Sequence, residues 1–260
     1  PIAPEALDDT DLANLSAEVC ETKRDWNTGN ETSYYFIKPW ILQVIKYGNS
    51  EKPGSGHPLA RDFEWSKGEL ALKLRSIHGS PNLSIYELAE LCKKREILLR
   101  KELYAIQKRI DDKVYGLYDI SKKDREGIEK ELYVLLETPK ESREEVVRPK
   151  ISREEHVARL LSYYVKQLVE KDEDGIIPLE ELVSKVREHI AEDFREDQLE
   201  RVESEIAQIL EKSIKKWLTE DFFEFHVGLY ERRPIIWQIT SADFSSRRGS
   251  QGAFNCLLHY

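Results

Sequence analysis

Residues 84–116, SIYELAELCKKREILLRKELYAIQKRIDDKVYG, decide how the rest of the chain is read. Ser84 and Glu87 stand three apart. At that spacing a serine hydroxyl caps the first turn of a helix and a glutamate reaches back to the serine N–H. Leu88, Leu91, Leu99, Leu103, Ile106, Ile110 and Val114 then keep one helical face apolar, with the period of an amphipathic helix and not of a strand. The pattern predicts one long helix from about Ile85 to Tyr115, stopped at Gly116, with Leu99, Leu103 and Ile106 buried. Its other faces carry Lys93, Lys94, Arg95, Arg100, Lys101, Lys108 and Arg109, interleaved with Glu87, Glu90, Glu96 and Glu102. That mixture suits a solvated helix surface.

The same reasoning extends outward. Ser121 offers a cap for a helix to about Leu136, and Ser152-x-x-Glu155 is a second capping box. It precedes Val157, Leu160, Leu161, Tyr164, Val165 and Leu168, which predict a helix ended by the turn Asp172-Glu173-Asp174-Gly175. Pro178 suits a helix first position, and helices are expected over 179–194, 197–213 and 214–229. On the N-terminal side, Leu7, Leu12, Leu15 and Val19 predict a helix over 5–24. Residues 27–60 hold most of the glycine, proline and asparagine, and read as an irregular strap anchored by Trp26, Tyr34, Tyr35, Phe36 and Trp40. A short helix is expected from Arg61 to about Ile77. Strands are expected only after about residue 230, where Pro234–Thr240 and Ala253–His259 could pair as a hairpin. The expected fold is therefore mainly α, an irregular multi-helix domain with a small C-terminal β-hairpin. It divides into helical subdomains 1–136 and 151–260, joined by the polar linker 137–150 with Pro139 and Pro149.

Composition sets the class. The chain has 260 residues, 34% charged and 40% hydrophobic, an ordinary globular balance with room for a core. No apolar run approaches the roughly 20 residues that span a bilayer. Pro1-Ile2-Ala3-Pro4-Glu5 carries no signal pattern and no initiator methionine, so the chain reads as an excised piece of a longer one. Cys20, Cys92 and Cys256 are far apart, which suits reduced thiols in a cytoplasm better than disulfides or zinc. The formal net charge is -9. Phosphate neutralisation supplies much of any DNA affinity, so so acidic a chain could meet DNA only through a local basic patch. The acidic run from Glu180 to Glu211 reads as a solvated surface, or alternatively as a face for a partner protein.

His57, His78, His156, His189, His226 and His259 show no paired ligand spacing. Asp172-Glu173-Asp174-Gly175 opens like a calcium loop but lacks alternating ligands and a glutamate at the twelfth position. No phosphate-cradling Gly-Lys-Ser/Thr loop occurs. No catalytic, cofactor-binding or metal-ligating residue is assigned.

Four separated blocks nonetheless share an order with a known family. They are Lys23-Arg24-Asp25-Trp26 with Glu31-Thr32-Ser33-Tyr34-Tyr35-Phe36 and Pro39; Val114 to Ile120; Val157 to Val165 followed by Asp174 to Pro178; and Arg232 to Ser241 with Gly252 to Leu258. Together they resemble the C-terminal region of the BREX-type PglX methyltransferases and related type IIG restriction–modification enzymes. Tyr34 stands where the family usually has tryptophan, and Tyr35 where it has aspartate. Lys166 to Lys171 replaces the family's usual segment after the third block. The resemblance implies a parent enzyme that transfers a methyl group from S-adenosylmethionine to adenine in duplex DNA, with the base flipped out. Such an enzyme needs an acidic-or-Asn-Pro-Pro-aromatic tetrapeptide, and Pro-Pro occurs nowhere here. S-adenosylmethionine is therefore expected in a catalytic domain outside this chain. The DNA-contact candidates are Arg247 and Arg248, in the Ser/Gly-rich loop between the expected strands, with Arg232, Lys93 and Lys94. Arg233 is expected to pair with a carboxylate and Trp237 to fill the core. The rival reading is a helical interaction module that links the methyltransferase to other defence proteins.

Overall fold

A computed structural model describes residues 10–46, 73, 77, 79–80, 82–135, 149–240 and 252–256. In chain order the elements are helices α1 (Thr10–Asn27), α2 (Trp40–Lys46), α3 (Ile85–Leu117), α4 (Lys122–Leu135) and α5 (Arg153–Lys171) and strand β1 (Ile176–Pro178). Then come helices α6 (Leu179–Phe194), α7 (Leu199–Leu210), α8 (Ile214–Glu220) and α9 (Phe222–Leu229), and strands β2 (Ile236–Thr240) and β3 (Gly252–Cys256). The fold is mainly α with a small β element, as the periodicity predicts. The chain groups into two compact units that interleave in sequence, and do not follow one another on either side of residues 137–150.

The first unit draws on 1–27, 63–76 and 93–150, and so contains α1, α4 and the later part of α3. Asp124 N donates to the Ser121 hydroxyl at 3.2 Å, capping α4 as the sequence suggests. Charged pairs join its helices: Arg109 to Glu18 and Lys113 to Asp11, both at 2.7 Å, and Arg125 to Asp112 at 2.5 Å. Leu99 and Ile106 are buried, but Leu103 is half-buried and Val114 exposed. The expected apolar stripe thus leaves the core along α3, where these ion pairs replace apolar packing.

The second unit draws on 28–62, 77–92 and 151–260. At its centre α5 packs on α2, α6, α7, α9 and β3. It buries Val157, Ala158, Leu160, Leu161, Tyr164, Val165 and Val169, a wide band that suits a central helix. The first capping box forms in full and the second by its serine half alone. Glu87 N donates to the Ser84 hydroxyl at 3.1 Å, and Ser84 N donates back to the Glu87 carboxylate at 2.8 Å. Glu155 N donates to the Ser152 hydroxyl at 3.1 Å, while the Glu155 carboxylate meets Arg159 at 2.7 Å. The acidic run is a surface laced with ion pairs: Glu181 with Lys185, Glu203 with Arg187, and Glu180 with Lys215.

Several expectations are corrected. The hairpin β2–β3 is antiparallel, but β3 also pairs with β1, giving the order β1-β3-β2. A strand therefore lies well before residue 230. Three residues are too few for a period of two to show in sequence, and Pro178, lacking an N–H, hides the strand further. Pro178 ends β1 and caps α6 instead of standing inside the helix. Helix α2 lies within the strap expected to be irregular. Burial of Ile41, Leu42, Val44 and Ile45 stabilises it despite its flanking turn residues. The helix expected over 214–229 breaks at Asp221, whose two oxygens accept from Lys212 Nζ at 2.8 and 2.7 Å. Trp237 is 42% exposed, against Phe223 at 5.6 Å, and does not fill the core. It shares an exposed sheet face with Ile176 and Ile239, while Ile177 and Ile236 point inward and are buried. The helix expected over 61–77 lies almost wholly outside the described residues.

Candidate functional site

The irregular segment Thr28–Pro39 of the second unit is tied down by many hydrogen bonds. Its fold begins with Asn30, whose side-chain oxygen accepts from the Thr32 hydroxyl at 3.0 Å, the local bond that favours asparagine in turns. Ser33 N then donates to Asn30 O, and Phe36 N to Ser33 O. The ends are closed by Gln43 on α2. Its amide donates to Thr28 O at 2.9 Å and to Lys38 O at 2.5 Å, and its oxygen accepts from the Thr28 hydroxyl at 3.2 Å. Gly29 is required here, because a Cβ would lie 2.0 Å from the Trp40 indole.

This geometry sorts the aromatics of the segment. Phe36 faces inward, edge-on to Tyr163 at 5.9 Å, whereas Tyr34 is 72% exposed beside Tyr35. One strap thus packs one half-buried ring on α5 and presents another outward. Ahead of them in the chain, Glu31 enters the core. Its carboxylate accepts from the Tyr230 hydroxyl at 2.9 Å and the Ser162 hydroxyl at 3.3 Å, with Lys166 Nζ at 3.9 Å. Burial raises the Glu31 pKa above the ordinary carboxylate value, opposed by Lys166 and the two hydroxyls. Burial likewise pushes the Tyr163 hydroxyl to about 12, reinforced by the charges of Asp193 and Glu31.

Tyr230 leads to His226. The imidazole is fully buried, stacked on Phe222 at 5.5 Å and tilted against Tyr230 at 4.5 Å between ring centroids. Its Nε2 accepts from two backbone groups, Ile235 N at 3.2 Å and Ile236 N at 3.1 Å, which turns the chain from α9 into β2. Nε2 must be unprotonated to accept both, so the proton sits on Nδ1. Burial, with the nearby Lys166 charge, lowers the His226 pKa to about 4. With both oxygens of Glu31 and the acceptor nitrogen of His226 engaged inside the core, this cluster acts as a clasp. It fastens the strap, α5, α9 and β2 together.

The DNA-contact candidates are not brought together. Lys94 is exposed and Lys93 half-buried, both in the first unit, while Arg232 is exposed in the second, at a φ of 67° just after α9. Arg247 and Arg248 lie outside the described residues. Arg95, adjoining the two lysines, is buried, and its charge opposes the rise that burial causes in the Asp25 carboxyl, to about 6. Arg100 pairs with Glu96 at 3.8 Å. The basic segment of α3 is thus partly turned to the protein's own carboxylates. Arg233 is exposed. Sequence reasoning missed Glu31 and His226. A lone glutamate among turn residues and a histidine in an apolar helix carry no spacing that betrays burial. Among the described residues, no three of His, Cys, Asp and Glu gather as metal ligands, and no helix is long and apolar enough to cross a membrane. Comparisons with protein-family models, with curated proteins and with solved structures found no match to this chain.

Proposed function

We propose that this chain is a non-catalytic, helical C-terminal region of a cytoplasmic adenine-specific DNA methyltransferase of phage defence or restriction–modification, and that it supports target recognition or clamping on duplex DNA. One observation carries the reading. Blocks that resemble that family, though far apart in sequence, interlock in the second unit. Glu31 of the first accepts from Ser162 of the third. Ile176, Ile177 and Pro178, at the end of the third, pair with Asn255, Phe254 and Ala253 of the fourth. A family that kept these segments would be keeping one fastened scaffold, which suits a supporting role. S-adenosylmethionine belongs to the catalytic domain of the parent enzyme, and the chain alone neither binds it nor methylates DNA.

A gel-shift titration of the chain with duplex DNA across a salt series tests this. Binding should weaken steeply with salt. The double variant Arg247→Ala/Arg248→Ala should lower the slope of log affinity against log salt by about two. Absence of binding at low salt would remove the DNA-supporting role, and equal slopes would remove these two arginines from it.

A further inference from the structure

We propose that the second unit carries a docking groove for a basic, amphipathic helix of a partner protein. The groove is open and runs beside the first turns of α5, past the end of α7, to α8 and α9. Its two adjoining stretches enclose about 660 and 550 Å³. Its floor is apolar, formed by Ala158, Leu210, Trp217, Phe225 and Leu229. Gly228 completes the α9 wall without a side chain, and a Cβ there would meet nothing within 4 Å. The space over the floor is therefore left open by sequence.

Charge selects the occupant. Among the described residues, the two stretches are lined by Glu154, Glu155, Glu211, Asp221, Glu224 and Glu231, against the single base Arg159. Glu155 is offset by Arg159, and Asp221 by the neighbouring Lys212. Glu211, Glu224 and Glu231 remain exposed at the rim. A polyanion such as DNA is repelled from such a rim, and an acidic peptide equally so. A helix with an apolar stripe at i, i+3, i+4 and i+7 fills the floor, and lysines or arginines flanking that stripe meet the rim. This inference stands on the groove alone and does not depend on the methyltransferase reading.

The test uses the full 260-residue chain and fluorescence anisotropy with three labelled peptides of equal length. One is an amphipathic leucine–lysine helix, one its leucine–glutamate counterpart, and one a lysine–serine peptide of the same charge as the first. The leucine–lysine helix alone should bind at micromolar concentration. Gly228→Leu, which plugs the groove from an open position, should weaken it at least tenfold with the far-ultraviolet circular dichroism unchanged. The triple variant Glu211→Gln/Glu224→Gln/Glu231→Gln should weaken it about tenfold and flatten its salt dependence. Equal binding of the lysine–serine peptide, or unchanged affinity in both variants, would overturn the proposal. The Arg247/Arg248 salt slopes are read independently of this outcome.

Discussion

Acidification should loosen the second unit through His226. The group's pKa is about 4 in the folded chain, below the ordinary 6.5. A depressed pKa means that the unfolded chain takes up the proton first. Its stabilising effect is intact above pH 6.5 and is lost as the pH falls towards 4. At about 1.4 kcal/mol for each pH unit, the full loss is roughly 3 kcal/mol, of which about 2 kcal/mol is gone by pH 5. The structural cause is plain. A protonated Nε2 would repel the Ile235 and Ile236 N–H groups it now accepts from. Glu31 works in the opposite sense, since its pKa is raised and its protonation favours the folded state as pH falls. Comparison with His226→Gln cancels that contribution, because Glu31 is common to both proteins. Urea unfolding at pH 7.5, 6 and 5 should find the variant less stable at pH 7.5, with the gap narrowing by about 2 kcal/mol at pH 5. If the variant does not fold, histidine NMR of the wild type reads the same quantity, as a resonance that stays neutral at pH 5.5. A gap that stays constant with pH, or a His226 resonance that titrates near 6.5, would refute the reasoning.

Two further outcomes concern the strap and the central helix. Gly29→Ala should cost roughly 2 kcal/mol, because the new Cβ drives into the Trp40 indole. An unchanged thermal midpoint would mean that the indole has room to move. Ser152→Ala should cost about 1 kcal/mol through loss of the hydroxyl that accepts from Glu155 N. Ser152→Asp should restore most of it, and equal denaturant midpoints for wild type and Ser152→Ala would show the cap to be idle.

Local rules were legible where the interaction is local. Ser84 with Glu87, Ser121 and Ser152 marked helix starts, and α6 has the bounds expected of it, 179–194. The rules failed where distant residues decide. Ile176-Ile177 becomes a strand only because β3 arrives beside it, and α2 forms because a core receives its apolar face. Leu103 has the right phase for burial, but phase cannot say how far along a helix the core extends. The clasp was illegible for the same reason. Glu31 and Tyr230, 199 residues apart, meet only in the folded chain. The basic segment of α3 was visible, but not the inward turn of Arg95.

The central place of β3 bears on the order in which the chain is made. Ribosomal synthesis delivers β1 long before 252–256 and β2 shortly before it, and neither has its sheet partner until β3 is made. Until the last strand appears, the exposed apolar face of Trp237 and Ile239 sits on a strand with open hydrogen-bonding groups. The sheet then closes on both sides at once. A released chain truncated before residue 252 would carry two sticky edges, and restoring those five residues should remove its need for chaperone protection.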